Sequence, residues 1–284
     1  LSNVKGMTFI GSVLYIASSD GNVYKAFVGV NVTTNPRGIT YSPSTASVGE
    51  AVWILVDGSP FDKILKVNPD TGALISSFGT NGAVDAPSNK TEGITFLGSS
   101  LYVIANESFN RYIYTINATS GAVSATTDLQ NVNIWDDLAG ITNDGTNLIV
   151  HTKSFWNGLF VLDPNSNFER TGIDGFPCCP SFNGAKGLAY HSGRDSYYAA
   201  NGGSIGVYTS NFDLDTEVGL TESATSLSGI QGLAFNGDLM YVAHVNSGGK
   251  ISKTFLATAI TTKPRGMGFS SSSSTTGEAL WILV

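Results

Sequence analysis

Seven positions along the chain place one residue directly before a Gly–apolar–x–aromatic unit, and four of the seven are cations. They are Lys5, Arg37, Glu92, Ala139, Lys186, Gln231 and Arg265. The chain carries a net charge of −7, so cations gathered at equivalent repeat positions would make a local anion site. A carboxylated sugar would fit it. The competing reading is a solvated rim in which Glu92 pairs with a neighbour.

The other residue types that do chemistry are scattered. His151 and His244 sit at the ends of expected second strands and His191 after a first strand, out of register with one another. Side chains so placed leave their sheets in different directions, so surface or hydrogen-bonded histidines are expected rather than a catalytic cluster. Acidic pairs at Asp136-Asp137 and Asp213-Asp215, and the "DPNSN" loop from Asp163, are oxygen-rich. Calcium favours such loops, but none completes a twelve-residue calcium loop, and the same residues form ordinary turns. No cofactor, no metal site and no catalytic residue is assigned. There is no phosphate loop and no H-E-x-x-H. Cys178 and Cys179 are adjacent inside "FPCCPSF". They cannot staple distant strands, and in an oxidising compartment a vicinal disulfide is expected.

Four N-x-S/T sequons stand at Asn31, Asn89, Asn106 and Asn117, candidates for glycosylation in a secreted chain. Trp135 ("NVNIWDD") and Trp156 ("SFWNGLF") are candidates for stacking on sugar rings, with blade-to-blade packing as the alternative. Trp53 and Trp281 fall in apolar strands and are expected in the core.

These residues need elements to position them, and the elements repeat. The unit reads "GMTF" from Gly6, "GITY" from Gly38, "GITF" from Gly93, "GITN" from Gly140, "GLAY" from Gly187, "GLAF" from Gly232 and "GMGF" from Gly266. After each comes a second strand ("VLYIAS", "AVWILV", "SLYVIA", "NLIVHT", "DSYYAA", "LMYVAH"), then a third ("KILKVN", "YIYTIN", "GLFVLD", "IGVYTS"). A polar turn such as "NPDTG" or "NATSG" leads to a fourth, more polar strand, expected at "ALISSF" and "AVSATT". Four short antiparallel strands at a period of roughly 40 to 50 residues describe the blade of a β-propeller. The fold expected is all-β, with seven blade starts over residues 1–284, the last blade incomplete.

The "GI-x-aromatic … LYV … TG" pattern resembles the bacterial propellers of the NHL, YVTN and SMP-30-like repeat type, over nearly the whole chain. That resemblance implies the fold; its members include lyases, lactonases, binding scaffolds and surface-layer modules.

A longer repeat overlies the short one. Residues 1–56 align with 227–284, and "TTNPRG" faces "TTKPRG". Gly6 and Gly232 are 226 residues apart, Gly38 and Gly266 are 228 apart, and five blade starts fill one such unit. Tandem five-blade units are therefore the alternative to a seven-blade ring.

Charged residues make up 13% of the chain, well below the roughly 25% usual in soluble domains. The hydroxyl- and amide-rich remainder, and a start at Leu1 without a leader, suit an extracellular or cell-surface protein. The pI of about 4.8 argues against nucleic acid as a partner. No apolar run is long enough to insert in a membrane as a helix. The function expected is a structural module of a repetitive surface or filament-forming protein. Its partners would be copies of itself or adjacent repeats, joined by tandem linkage or strand exchange. A glycan- or ligand-binding module and a metal-dependent hydrolase or lyase are the alternatives.

Overall fold

A computed structural model describes residues 35–153, 158–171, 187–201, 204–209 and 229–245. It also describes the strand segments 4–10, 13–18, 22–27, 214–219, 221–222, 225–226, 250–255, 258–259, 266–270 and 279–283. Side chains are described for 35–153, 158–171, 187–200, 205–209, 229–245 and 250–252. The chain forms two compact units. One is Val30–Gly237 with Tyr241–Ile251, the other Leu1–Gly29 with Asp238–Met240 and Ser252–Val284.

The larger unit is built from the Gly–apolar–x–aromatic strands. Pro36–Ser42, Thr91–Leu97, Asp137–Asn143, Gly187–His191 and Ile230–Asn236 are the inner strands of five antiparallel blades. Each is followed in order by its second and third strands. Four blades add a fourth strand, at Ala83–Asp85, Val123–Asp128, Glu169–Arg170 and Leu214–Gly219. The expectation of seven blades is corrected to five. The inner strands close a ring in which each lies beside the next and the fifth returns to the first.

Glycine is what lets the ring close so tightly. A Cβ on Gly232 would stand 2.8 Å from the Ile39 nitrogen and 3.0 Å from Gly38 Cα. On Gly187 it would stand 2.9 Å from Gly232 Cα, and on Gly38 3.2 Å from Gly93 Cα. Any larger residue would push neighbouring blades apart.

The core lies between blades. Trp53 is fully buried in the second strand of the first blade, stacked on Phe96 of the second blade with ring centroids 6.4 Å apart. The Nζ of Lys66 sits 4.9 Å over the same indole and donates to the Val48 carbonyl at 2.8 Å. Equivalent contacts recur around the ring. Tyr41 stacks on Tyr241 at 5.8 Å, joining the first blade to the fifth, and Phe235 meets Tyr198 edge-on at 4.8 Å, joining the fifth to the fourth. In the first, second and fifth blades the aromatic that closes the repeat unit is therefore the seam to the preceding blade.

One expected strand is absent. "ALISSF" makes two turns instead, with a single bridge from Leu74 to Val67. Its Phe78 is fully buried against Trp53, edge-on at 4.9 Å. Anchoring that ring bends the chain away from the sheet, and the fourth strand forms later, at Ala83–Asp85.

The smaller unit is described by its backbone. Val4–Ile10, Val13–Ser18 and Asn22–Phe27 form a meander. Thr254 pairs with Ala26, and Thr258-Ala259 pair with Val23 and Asn22. Gly266–Ser270 pairs with Ala279–Leu283 and lies beside Val4–Ile10.

Candidate functional site

The two ends of the ring's channel differ in chemistry. The residues preceding the glycines lie at the start of the inner strands, where the ring is narrowest, and there they join blades together. Arg37 is ion-paired with Asp57 and donates from Nη1 to the Thr91 carbonyl of the next blade at 3.3 Å. Glu92 pairs with Lys153 of the third blade at 3.1 Å. Asn106 donates to the Leu138 carbonyl at 3.0 Å and accepts from the Leu138 amide at 2.9 Å. Buried Asp62 accepts from the Thr91 amide at 3.1 Å and from its hydroxyl at 2.5 Å. Ala139 is buried, and Gln231 donates to the Gly229 carbonyl at 3.2 Å. Among the described residues at these positions Arg37 is the one cation, and its charge is matched by Asp57. Lys186, Arg265 and the side chain of Lys5 lie outside the described residues. Asp62 was not singled out from sequence, and Asn106 was read there only as a sequon; each sits beside a tight turn, the kind of place where a side chain caps a neighbouring strand.

At the other end the inner strands spread apart around a cavity of about 470 Å³. It is lined from the residue after each glycine to the turn that follows the strand. Each inner strand is paired on one side only, so its other edge faces the axis and the preceding blade. Register sets the amides of Tyr41 and Phe96, each three residues after its glycine, on that free edge, and Phe235 holds the same place in its repeat unit. At Phe96 the edge amide is capped by the Thr40 hydroxyl of the first blade at 3.1 Å. Asn143 replaces the aromatic in the third blade and donates to the Thr95 hydroxyl at 2.8 Å and the Phe96 carbonyl at 2.9 Å. The residues equivalent to Thr40 in the fourth and fifth blades are Ala189 and Ala234, which have no hydroxyl to give to Phe235 and Tyr41. Nothing in the sequence marked this cavity, because its signature is a change from Thr to Ala at one repeat position.

Among the described residues, the cavity wall holds one carboxylate, Asp144, and no cation. Asp144 accepts from the amides of its own turn, Thr146 at 2.8 Å and Asn147 at 2.7 Å. Tyr190 donates to Asp195 at 2.7 Å; burial first, and then that bond, push its hydroxyl up to about 12.

Away from the channel, Trp135 is 63% exposed and Phe109 87%. They flank Arg111, which donates to the Asp136 carbonyl at 3.1 Å and to Asp137 at 2.5 Å. Asn89 and Asn117 are exposed, while Asn106 is held between blades by the bonds given above. Asn31, Trp156, Cys178 and Cys179 lie outside the described residues, as do Asp213 and the side chains of Asp215 and Trp281.

The histidines, expected at the surface or hydrogen-bonded, are all buried: His151, His191 and His244 lie in three different blades. The Nδ1 of His191 accepts from the Arg194 amide at 3.1 Å, and its ring meets Phe235 edge-on at 4.9 Å. Asp163 accepts from the Asn165 amide at 2.8 Å, and that bond first holds its carboxyl below the usual range. Among the described residues no group of three or more His, Cys, Asp or Glu side chains is placed to hold a metal.

No protein-family model and no curated protein matches the sequence. Solved structures do match. The chain is similar to the glutaminyl cyclase of Myxococcus xanthus, with TM-score 0.57 at 11% identity, over 83% of this chain and 95% of that one. Hydrazine synthase of Kuenenia stuttgartiensis gives a TM-score of 0.47 at 13% identity, covering 90% and 84%. The β-propeller domain of Cps50 (Swd1) from Myceliophteria thermophila gives 0.44 at 9%, covering 90% and 97%. At such identities the first likeness speaks for the propeller fold and for no activity.

Proposed function

We propose that this chain is a structural module of a repetitive extracellular protein, in which the polypeptide repeats with a period of one propeller ring. The observation that supports this most directly is a coincidence of two lengths. The ring takes five inner strands to close, and the long sequence repeat, 226 to 228 residues, spans five inner-strand glycines. The glycine of the fifth blade, Gly232, has its repeat partner at Gly6, and that of the first, Gly38, at Gly266. In the smaller unit the strands carrying Gly6 and Gly266 lie side by side, the same neighbour relation that the fifth and first blades have in the ring. A repeat that restarts at the same blade suits serial rings whose partners are further copies of the same unit. The low charge content and the exposed sequons at Asn89 and Asn117 support a location outside the cell.

Electron microscopy of the native, unfractionated material tests the proposal. Strings or filaments of discs at even spacing are the expected result. Isolated single discs would overturn it.

A further inference from the structure

We propose that the wide end of the channel binds a neutral polyhydroxyl ligand, a mono- or disaccharide. The cavity of about 470 Å³ is within the roughly 300–1,000 Å³ of small-molecule sites. Its most specific feature is a pair of backbone donors. At the junction of the first and second blades the ring supplies its own oxygen, Thr40 Oγ1, 3.1 Å from the Phe96 amide. At the next two junctions around from the fourth blade, the residue that would supply it is Ala189 and then Ala234. Both alanines line the cavity, as do Phe235 and Tyr41, whose amides they face. Among the described residues no side chain takes up either amide. An amide on the cavity edge without a protein partner is a ready donor, so an oxygen arriving where the threonine hydroxyl sits elsewhere gains a hydrogen bond there. The two positions lie on adjacent inner strands of the ring.

Charge selects among oxygen ligands. With no cation among the described residues of the wall, an anion would be desolvated against neutral amides and the Asp144 carboxylate. That carboxylate is already held by the Thr146 and Asn147 amides, so it offers little to a cation either. What remains is neutral: the hydroxyl of Ser192, the amide of Asn236, and the apolar flanks of Leu188 and Leu233 for the C–H face of a sugar. This site is at the opposite end of the inner strands from Arg37 and Glu92, and it stands independently of how successive rings are joined.

The test adds the missing hydroxyl. Ala189→Thr and Ala234→Thr copy the solution the ring already uses at Thr40, so they cap the amides and fill the space; Ala189→Ser is a smaller version. The probes are the methyl glycosides of glucose, galactose, mannose and N-acetylglucosamine, with glucuronate and acetate as charged controls. Saturation-transfer NMR identifies binders and calorimetry measures them on the full chain. The expected result is binding of at least one neutral glycoside, weakened tenfold or more in a folded variant whose Tm is no lower than that of the parent. Three results would overturn the proposal: no neutral glycoside binds, only glucuronate or acetate binds, or a glycoside binds equally well to the parent and to the folded Thr or Ser variants.

Discussion

The indole of Trp53 in the first blade and the ring of Phe96 in the second lie 5° from parallel, with Phe78 closing the remaining side edge-on. Neither blade encloses the indole alone, so the contact exists only when both are in place. Trp53→Ala should cost about 3–5 kcal/mol, the usual loss for a large buried aromatic. Trp135→Ala, at a residue 63% exposed, should change stability by less than about 0.5 kcal/mol. Denaturant midpoints of the two variants measure the difference. Equal effects would mean the seam is not where the stability lies.

Gly232→Ala and Gly93→Ala make the same chemical change against different clearances. The added carbon meets the Ile39 nitrogen at 2.8 Å in the first and Ile141 at 3.2 Å in the second. Gly232→Ala should therefore destabilise by about 1–3 kcal/mol, and Gly93→Ala by less. Urea unfolding of both ranks them, and the reverse order would contradict the tight closure at Gly232.

At the narrow end, polar stitches should outweigh ion pairs. Asn106→Ala removes two bonds to Leu138 and leaves backbone groups unmet, an expected loss of about 2 kcal/mol. Lys153→Ala removes a partly exposed pair with Glu92 and should cost less than about 1 kcal/mol. Adding 0.5 M salt should lessen the effect of the second and leave the first unchanged.

Alkaline pH should unfold the ring through its tyrosines. Burial, before any neighbouring carboxylate, raises the hydroxyls of Tyr41, Tyr114, Tyr197 and Tyr241, and brings Tyr190 to about 12. A phenol raised above its unfolded value of 10.0 keeps its full stabilisation below pH 10 and loses it as pH rises toward the folded value. Lys66, lowered by burial, gives the opposite slope, but it is one group, and its window lies below 10.5. Tm should hold to about pH 10 and then fall. Absorbance at 295 nm should report phenolate appearing together with unfolding. Independent titration of these tyrosines in a still-folded ring would contradict the burial of their hydroxyls.

Local pattern carried most of the fold. The glycine units marked all five inner strands, and the second strands "AVWILV" and "LMYVAH" fall at Ala51–Val56 and Leu239–His244 as read. The number of blades was not legible as one answer, because a repeat sets the shape of a blade while ring closure depends on how close neighbouring inner strands come. Only the glycine contacts express that distance. "ALISSF" failed for a related reason: its alternation is strand-like, and the pull of Trp53 on Phe78 comes from residues 25 positions away. Arg37, read as one of the cations of a channel mouth, has its charge taken up by Asp57, and Glu92 of the same set is paired with Lys153 of another blade. The cavity was invisible because an alanine says nothing by itself. It acquires meaning only beside the threonine that fills the same place two blades away.

A polypeptide whose repeat equals the circumference of its own ring has no privileged first blade. The order of glycines running from Gly6 through Gly187 is the same cycle as that from Gly38 through Gly232, started one step earlier. The two orders differ at the residue two places after the glycine: Thr8 stands in one where Ala234 stands in the other. Choice of order would then decide whether one channel amide receives a built-in hydroxyl or is left open.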